Sequence, residues 1–509
     1  MATDTREVEL KYEAGPEAGL PPLEDLPQVA AEAGPDEETL EAEYYDTDDL
    51  RLLRAGVTLR RRRGGHDEGW HLKLPAGPDT RREIQLPLGP PGQPDRAVPD
   101  ELASLVRVYT RGEPLRPVAR VATVRRRRTL LDQGGRSLAE VVADDVSAQT
   151  LGESTTISQW REVEVELTGG DRHLLRAADR RLRRGGLRPA GRMAKLERAF
   201  AGQLPPGGQA HPPGRHASSA EVVMAYAREQ ADRLKALDPM VRRNEPDSIH
   251  QMRVASRRLR STLQSFGSVL RAKDTRHLRD ELRWFSHVLG DARDAEVLSE
   301  RIHAEVKQVP AELVMGPVQA RLREHFAPLE ARTRRAVIDT LDSERYFRLL
   351  DEMDKLLADP PLGPAASRPA KDGLSADVAR TYRRTRRRMQ QARRAPDGQA
   401  RNMALHAARR AAKRARYAGE VASPVHGKPA RRFTRQMKKA QSVLGTHQDA
   451  VIARDTIREL GVRAHLEGEN AFTYGLLHER QTATAAEAER QAAKKWKRSS
   501  RPKYRKWLH

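Results

Sequence analysis

Cysteine is absent from the 509 residues, which excludes disulfides, thiol catalysis and thiolate metal sites at once. Aromatic residues make up only 4% of the chain, so stacking platforms for nucleic-acid bases are scarce. No stretch approaches the ~18 apolar residues that a membrane-spanning helix needs, so no membrane span is expected. The opening MATDTREVELKYEAG lacks an apolar core and does not read as a secretory signal. These absences point to a soluble, cytoplasmic protein. At about 100–200 residues per domain, its length calls for more than one.

What the chain has in excess is positive charge: 93 Lys and Arg against 71 Asp and Glu, a formal +22. The excess is unevenly placed. Residues 1–200 hold 32 basic and 35 acidic residues, a net of −3, which leaves 61 and 36, a net of +25, to residues 201–509. Such a field attracts polyanions (nucleic acid, an acidic membrane surface or polyphosphate) unless it is simply a solvated basic face.

The texture changes along the chain. Residues 201–217, AGQLPPGGQAHPPGRHA, read as a linker, and 359–374, DPPLGPAASRPAKDGL, as a second break. Upstream of the linker, VELKY, VTLRRR, WHLKLP and WREVEVELTG alternate with period two between Gly and Pro signals, which predicts an antiparallel sheet. Downstream, Ala-, Arg- and Leu-rich stretches with a period near 3.6 predict helices. The expected domains are 1–200, the linker, a helical region 218–493 made of 218–358 and 375–493, and a basic tail 494–509.

In the sheet region, Glu7, Glu9 and Lys11 fall on one strand face, opposite Val8 and Leu10. Glu162, Glu164 and Glu166 do the same against Val163, Val165 and Leu167, while His71 with Lys73, Arg60 with Arg62, and Arg125 with Arg127 form cationic counterparts. A charged face in water is the ordinary explanation. Carboxylates gathered on two strands and cations on others suggest instead a hard divalent ion with phosphate oxygens bound opposite.

Glu7-x-Glu9-x-Lys11 resembles the signature of CYTH domains, the triphosphate tunnel metalloenzymes. The resemblance continues through Tyr44-Tyr45-Asp46-Thr47, Leu50-Arg51-Leu52-Leu53, Arg60-x-Arg62, Leu72-Lys73, Glu140, Asp144, Glu162-x-Glu164-x-Glu166 and Lys195-Leu196-Glu197-Arg198-Ala199. It implies an eight-stranded antiparallel β-tunnel with flanking helices that hydrolyses triphosphate compounds with Mg²⁺ or Mn²⁺. By that resemblance Glu7, Glu9, Asp144, Glu164 and Glu166 are metal-ligand candidates. Lys11, Arg60, Arg62, Lys73, Arg125, Arg127 and Lys195 are phosphate binders, and Lys11 and Tyr45 are catalytic candidates that position water. No base pocket is legible, so inorganic triphosphate is favoured over a nucleotide, and cyclase chemistry is disfavoured.

The helical region repeats itself. His250-x-x-Arg253-x-x-x-Arg257-x-x-Arg260 recurs as His406-x-x-Arg409-x-x-x-Lys413-x-x-Arg416, and LGDARD at 289–294 recurs as LGTHQD at 444–449. The offsets, 156 and 155 residues, indicate a duplication. On a helix each basic set falls within an arc of about 80°, a cationic stripe headed by a histidine. A lone helical histidine is more often structural. Here it heads a row of cations and could donate to a phosphate oxygen.

These motifs resemble the conserved histidine α-helical domain, CHAD, over about 218–493. The resemblance implies two similar antiparallel four-helix bundles and a basic groove that binds inorganic polyphosphate, with Lys438 and Lys439 as further basic candidates. The tail KKWKRSSRPKYRKWLH reads as a disordered solubilising end, or as a binder of nucleic acid, anionic lipid or polyphosphate. The expected protein is α+β: a divalent-metal-dependent triphosphatase-like tunnel fused to a polyphosphate-binding helical module, associated with polyphosphate granules. The alternatives are a non-catalytic polyphosphate-targeting protein and a nucleic-acid-binding protein.

Overall fold

The computed structural model describes residues 3–15, 19–77, 80–89, 97–152, 155–190, 194–201, 213–214 and 216–508. Most of the expected linker (202–212 and 215) lies outside them. The chain divides into two compact units, Met1–Gln209 and Ala210–His509.

The first unit is one antiparallel sheet. Its strands are β1 (Thr3–Glu7), β2 (Glu9–Ala14), β3 (Ala31–Asp46), β4 (Thr58–Arg63), β5 (Gly69–Gly77), β6 (Thr80–Leu86), β7 (Arg116–Leu131), β8 (Ser137–Thr150), β9 (Ile157–Leu167) and β10 (Arg188–Pro189). They lie in the order β1-β6-β5-β4-β3-β7-β8-β9-β2-β10. The ladder does not close into a hydrogen-bonded ring. Its margins are nevertheless the two halves of one N-terminal segment, because β1 pairs with β6, β2 pairs with β9, and only Val8 separates them. Counted as one interrupted strand, β1 and β2 give the eight long strands of the expectation; β10 is a two-residue addition against β2.

Helices cover the apolar face. Helix α1 (Arg51–Arg54) and α2 (Asp100–Thr110) pack on Tyr45, Leu59, Trp70, Leu72 and Ile84. Helix α3 (Arg172–Arg184) packs on Tyr12, Val141, Val163 and Val165, and its first turn is capped by Asp171. The DTDDLRLL turn has a local cause: buried Asp46 accepts from the backbone N–H groups of Thr47, Leu52 and Leu53 at 2.7–2.9 Å. The other face is charged except at one end. There α4 (Lys195–Ala199) and Phe200 pack against Ala42, Tyr44, Val121, Val146 and Ala148.

The second unit is helical: α5 (Ser219–Arg242), α6 (Ser248–Ser265), α7 (Arg276–Lys307), α8 (Val318–Leu341), α9 (Glu344–Ala358), α10 (Ala370–Arg394), α11 (Gln399–His426), α12 (Lys428–Leu466) and α13 (Phe472–Ser499). Among the described residues the first half has five of these helices and the second half four. The two halves meet in a shared core, where Ile302, Val306, Leu322 and Phe326 pack with Ile457, Leu460, Tyr474 and Leu477. The Pro-rich break at 359–374 is packed rather than loose. Leu362 pairs with Leu270 and Pro369 with Ser218, and Ala365 and Ala366 are buried.

The tail departs from the expectation of disorder. Helix α13 carries on to Ser499, Trp496 stacks on Tyr382, Trp507 packs on His426 and Phe433, and Leu508 is buried. Its apolar residues find a core, and that outweighs the repulsion among its lysines and arginines.

Candidate functional site

Cross-strand partners share a sheet face, so register decides what meets in the first unit. The pairs Tyr44–Arg60, His71–Arg60, Lys73–Glu83, Arg125–Asp144, Asp144–Glu162, Lys11–Glu164 and Glu9–Glu166 place one set of charged side chains on the inner face, the face that also carries α4. Asp144, Glu162 and Glu164 each offer an oxygen within 4.8 Å of the others, the one group of metal-competent ligands among the described residues.

Those carboxylates are already compensated. Lys195 Nζ lies 2.8 Å from Asp144, 2.5 Å from Glu162 and 3.1 Å from Glu164. Lys11 Nζ is 2.5 Å from Glu164, and Arg125 grips Asp144 through two bonds of 2.8 and 2.7 Å. Burial alone would lift the Glu164 carboxyl, but Lys11, Lys195 and Arg125 hold it well below its usual range.

A second acidic group sits apart. Glu7 takes bonds of 2.8 and 2.7 Å from Lys73, while Glu83 is bonded to His71 at 2.9 Å and lies 3.6 Å from Lys73. Burial pushes the Glu7 carboxyl up to about 8 against the pull of Lys73. Burial opposes ionisation of Glu83 too, yet Lys73 and His71 hold it far below the usual range. His71 is pulled down to about 4, mainly by burial, and so is neutral at pH 7.

Arg60 and Arg62 supply the cationic side. Each has a buried Nε without a hydrogen-bond partner. Burial, with Arg60 and Arg125 close by, brings Arg62 down to about 9 although it pairs with Asp67. Arg127 stands nearer the rim, bonded to His66 at 2.8 Å.

The structure thus regroups the sequence candidates. Asp144 and Glu164 come together with Glu162, which is not among the ligand candidates that the resemblance implies. Glu7 goes to Lys73, and Glu9 and Glu166 face each other outside the triad. Tyr45 is the clear correction: it is buried in the outer core against Trp70, ring centroids 5.0 Å apart. Its neighbour Tyr44 is the inward one, its hydroxyl 3.4 Å from Arg60 and held below the ordinary tyrosine range, because Arg60 and Lys195 outweigh burial. The register Tyr44–Arg60, with Arg60 already assigned inward, was the signal that separates the two tyrosines. Glu83 and His71 lie on the same face.

In the second unit, α6 and α11 pack on each other, and their stripes share one space. Arg253 pairs with Asp294 at 2.7 Å and Arg409 with Asp449 at 3.4 Å. Arg416 is held by Glu420 and Gln441. The repeated glycines have a shared role: a Cβ on Gly290 would stand 3.2 Å from Arg253 Nη2, and one on Gly445 3.3 Å from Arg409 Nη2. The two sequence repeats are therefore one contact, a stripe arginine lying over a helical glycine and reaching the aspartate one turn on. The histidines differ: His406 bonds Gln448 at 2.8 Å, whereas His250 feels Arg293 at the matching position.

Compensation is incomplete here. Burial, then Arg257, Arg409, Arg253 and Arg416, drive Lys413 down to about 6. Burial and Arg283 likewise lower Arg260. The Nε atoms of Arg253, Arg257 and Arg409 are buried without partners. Lys438 and Lys439 are exposed on α12, and no described contact joins them to the stripes.

Family comparisons agree with this division. The CYTH domain matches residues 5–188 and the CHAD domain residues 225–458. The chain therefore belongs to the proteins that carry a CYTH domain followed by a CHAD domain. Two relatives from Mycobacterium tuberculosis, the uncharacterized proteins MT2285 and Rv2226, are each 37% identical over 499 residues, covering 94% of this chain and 93% of theirs. Among solved structures, the CHAD domain from the plant Ricinus communis is 26% identical, with a TM-score of 0.43 over 56% of this chain and 92% of that one. CYTH members include metal-dependent triphosphatases and cyclases. No helix among the described residues is long and apolar enough to cross a membrane.

Proposed function

We propose that this protein binds inorganic polyphosphate along the α6 and α11 stripes and hydrolyses inorganic triphosphate on the inner face of its sheet. The observation that carries the first part is the convergence of the two stripes where α6 packs on α11: Arg253, Arg257 and Arg409 have buried Nε atoms without partners, and Lys413 among them is drawn down to about 6 by burial and then by its four basic neighbours. The arginines stay charged at neutral pH, and an anion among them would let Lys413 keep its proton as well. A phosphate chain without bases suits a stripe flanked by few aromatics. The tail argues the same way, because Trp496 and Trp507 are engaged in the core and are not offered as stacking platforms. Association with polyphosphate granules follows from that affinity.

For the second part, Asp144, Glu162 and Glu164 fit a hard divalent cation such as Mg²⁺ or Mn²⁺ in donor type and spacing. Bound there, the ion would polarise a phosphoryl oxygen. The rest belongs to the chain. Arg60 and Arg62, with their orphaned N–H groups, would take phosphate oxygens, and Arg125 would hold Asp144 in place. Lys11 and Lys73 would add point charges. Lys195 touches all three acids of the triad, so its ammonium would have to leave them for the triad to hold a cation, and would then be available to phosphate. The same compensation favours a second reading, in which the inner face grips phosphate chain ends without hydrolysis.

Phosphate release from inorganic triphosphate with Mg²⁺ or Mn²⁺ tests this, alongside long-chain polyphosphate binding. Turnover that disappears in Glu164→Gln supports the enzyme. Tight binding with no turnover of triphosphate, ATP or polyphosphate supports the grip and overturns the triphosphatase.

A further inference from the structure

Beyond the stripes, the second unit holds a cavity of about 740 Å³ whose lining contains seven arginines and no carboxylate. Four of the seven come from the RRTRR run of α10. At 100° per residue, Arg383, Arg384 and Arg387 fall within an arc of about 100°, while Tyr382, Thr385 and Met389 are buried on the other side. Like charges three and four residues apart weaken a helix. Arg380 is relieved by Asp377; among the described residues no carboxylate pairs with Arg383, Arg384, Arg386 or Arg387.

Two further groups line the same space. The Ser265 hydroxyl at the end of α6 lines the cavity, buried and without a hydrogen-bond partner. Arg414 of α11 lines it too and is drawn down to about 10 by burial, then by Arg384, Arg260 and Arg410. Arg260 closes the α6 stripe, so a row of cations leads from the stripe through Arg414 to Arg384. No aromatic side chain lines the space.

We propose that this arginine cavity is a second phosphate-binding site, continuous with the stripes, which takes the part of a long polyphosphate chain that extends past Arg260. The inference rests on the stripes being a polyphosphate site. Arg384, Arg387 and Arg414 supply charge-assisted bonds to non-bridging oxygens, and Ser265 donates one more.

The test uses the full chain, comparing R384A/R387A with R253A/R409A and with wild type. Affinity for long-chain polyphosphate and for inorganic triphosphate is measured over a range of salt, and circular dichroism reports folding. R384A/R387A is expected to lower long-chain affinity about tenfold and to reduce the slope of log affinity against log salt by about 1.4, with triphosphate binding unchanged. R384K/R387K should retain most of the affinity. Unchanged long-chain affinity in folded R384A/R387A overturns the cavity, whatever the stripe variant does. Unchanged affinity in R253A/R409A, with the loss confined to R384A/R387A, overturns the stripe reading and with it the continuity. Equal competition by a single-stranded oligonucleotide of matched charge overturns the preference for a base-free chain.

Discussion

Lys195 and Lys413 are both lysines drawn out of water, and the chain shifts them in opposite directions. Burial lowers each. Around Lys195, Asp144, Glu164 and Glu162 reverse the effect and raise it well above the ordinary value; around Lys413, four basic neighbours deepen it to about 6. Around the triad the inner face of the sheet balances its charges internally, and a cation must displace an ion pair to enter there. The helical stripes leave theirs unbalanced, and an anion relieves strain by arriving. The first arrangement suits chemistry that depends on exact placement of a few groups; the second suits retention of a long, repetitive polyanion.

The largest effect should come from breaking the balanced side. Glu164→Gln removes a triad oxygen and the main partner of Lys11, and triphosphate turnover should fall at least about 100-fold with polyphosphate binding untouched. Loss of both together would mean that the two regions are not separable. Lys195→Met sharpens the same point. It should bind Mn²⁺ more tightly, because the competing ammonium is gone, while still turning over triphosphate more slowly for want of that charge. Weaker Mn²⁺ binding in Lys195→Met would show that Lys195 supports the triad rather than competes for it.

On the unbalanced side, R253A/R409A should lower polyphosphate affinity about tenfold at physiological salt and reduce the slope of log affinity against log salt by about 1.4, two phosphate contacts at about 0.7 each.

Proton linkage gives a smaller but more diagnostic effect. Folded Lys413 gives up its proton near 6, far below the unfolded value, so the unfolded chain binds more protons above that pH. Stability should therefore rise with pH from about 6 toward the ordinary lysine range. A bound anion favours the charged form, so polyphosphate binding should take up a proton at pH 7.5, and affinity should fall as pH rises. Calorimetry in buffers of different ionisation enthalpy measures the uptake, and Lys413→Arg, which keeps the charge without titrating, should reduce it. The neighbouring His406 is also held low by burial, and its share is what remains in that variant. Identical uptake in wild type and Lys413→Arg would remove Lys413 from the site.

What the sequence disclosed follows from its two periods. Alternation showed which of Glu7, Glu9, Lys11, Glu162, Glu164 and Glu166 share a face, and helical spacing showed both stripes. Register is not local information, so it was hidden that Asp144 lies opposite Glu162 and that Glu9 meets Glu166 instead of the triad. The Tyr44–Tyr45 doublet is the same difficulty in miniature, since adjacent residues point to opposite faces and only pairing with Arg60 chooses between them. Arg383, Arg384 and Arg387 form a run that belongs to neither repeat, and only the packing of α6, α7 and α11 around it makes a cavity. Compensation of the tail by Trp496, Trp507 and Leu508 likewise depends on partners far away in the chain.

The repeated glycines offer the finest cut between the regions, because they carry no charge. Glycine inside a helix usually costs about 1 kcal/mol relative to alanine, so Gly290→Ala and Gly445→Ala should hold or raise thermal stability. Each new Cβ, however, would crowd the guanidinium above it, at 3.2 Å for Arg253 and 3.3 Å for Arg409. A flexible side chain can yield by a few tenths of an ångström, but it then leaves its aspartate and its place in the stripe. Polyphosphate affinity should fall by less than the about fourfold that one lost phosphate contact costs at physiological salt, and triphosphate turnover should not change. The loss should be larger for Gly290→Ala, where Arg253 is the more closely paired of the two. Equal affinity in both variants and wild type would mean that the glycines serve helix packing alone, and that the arginines keep their reach without them.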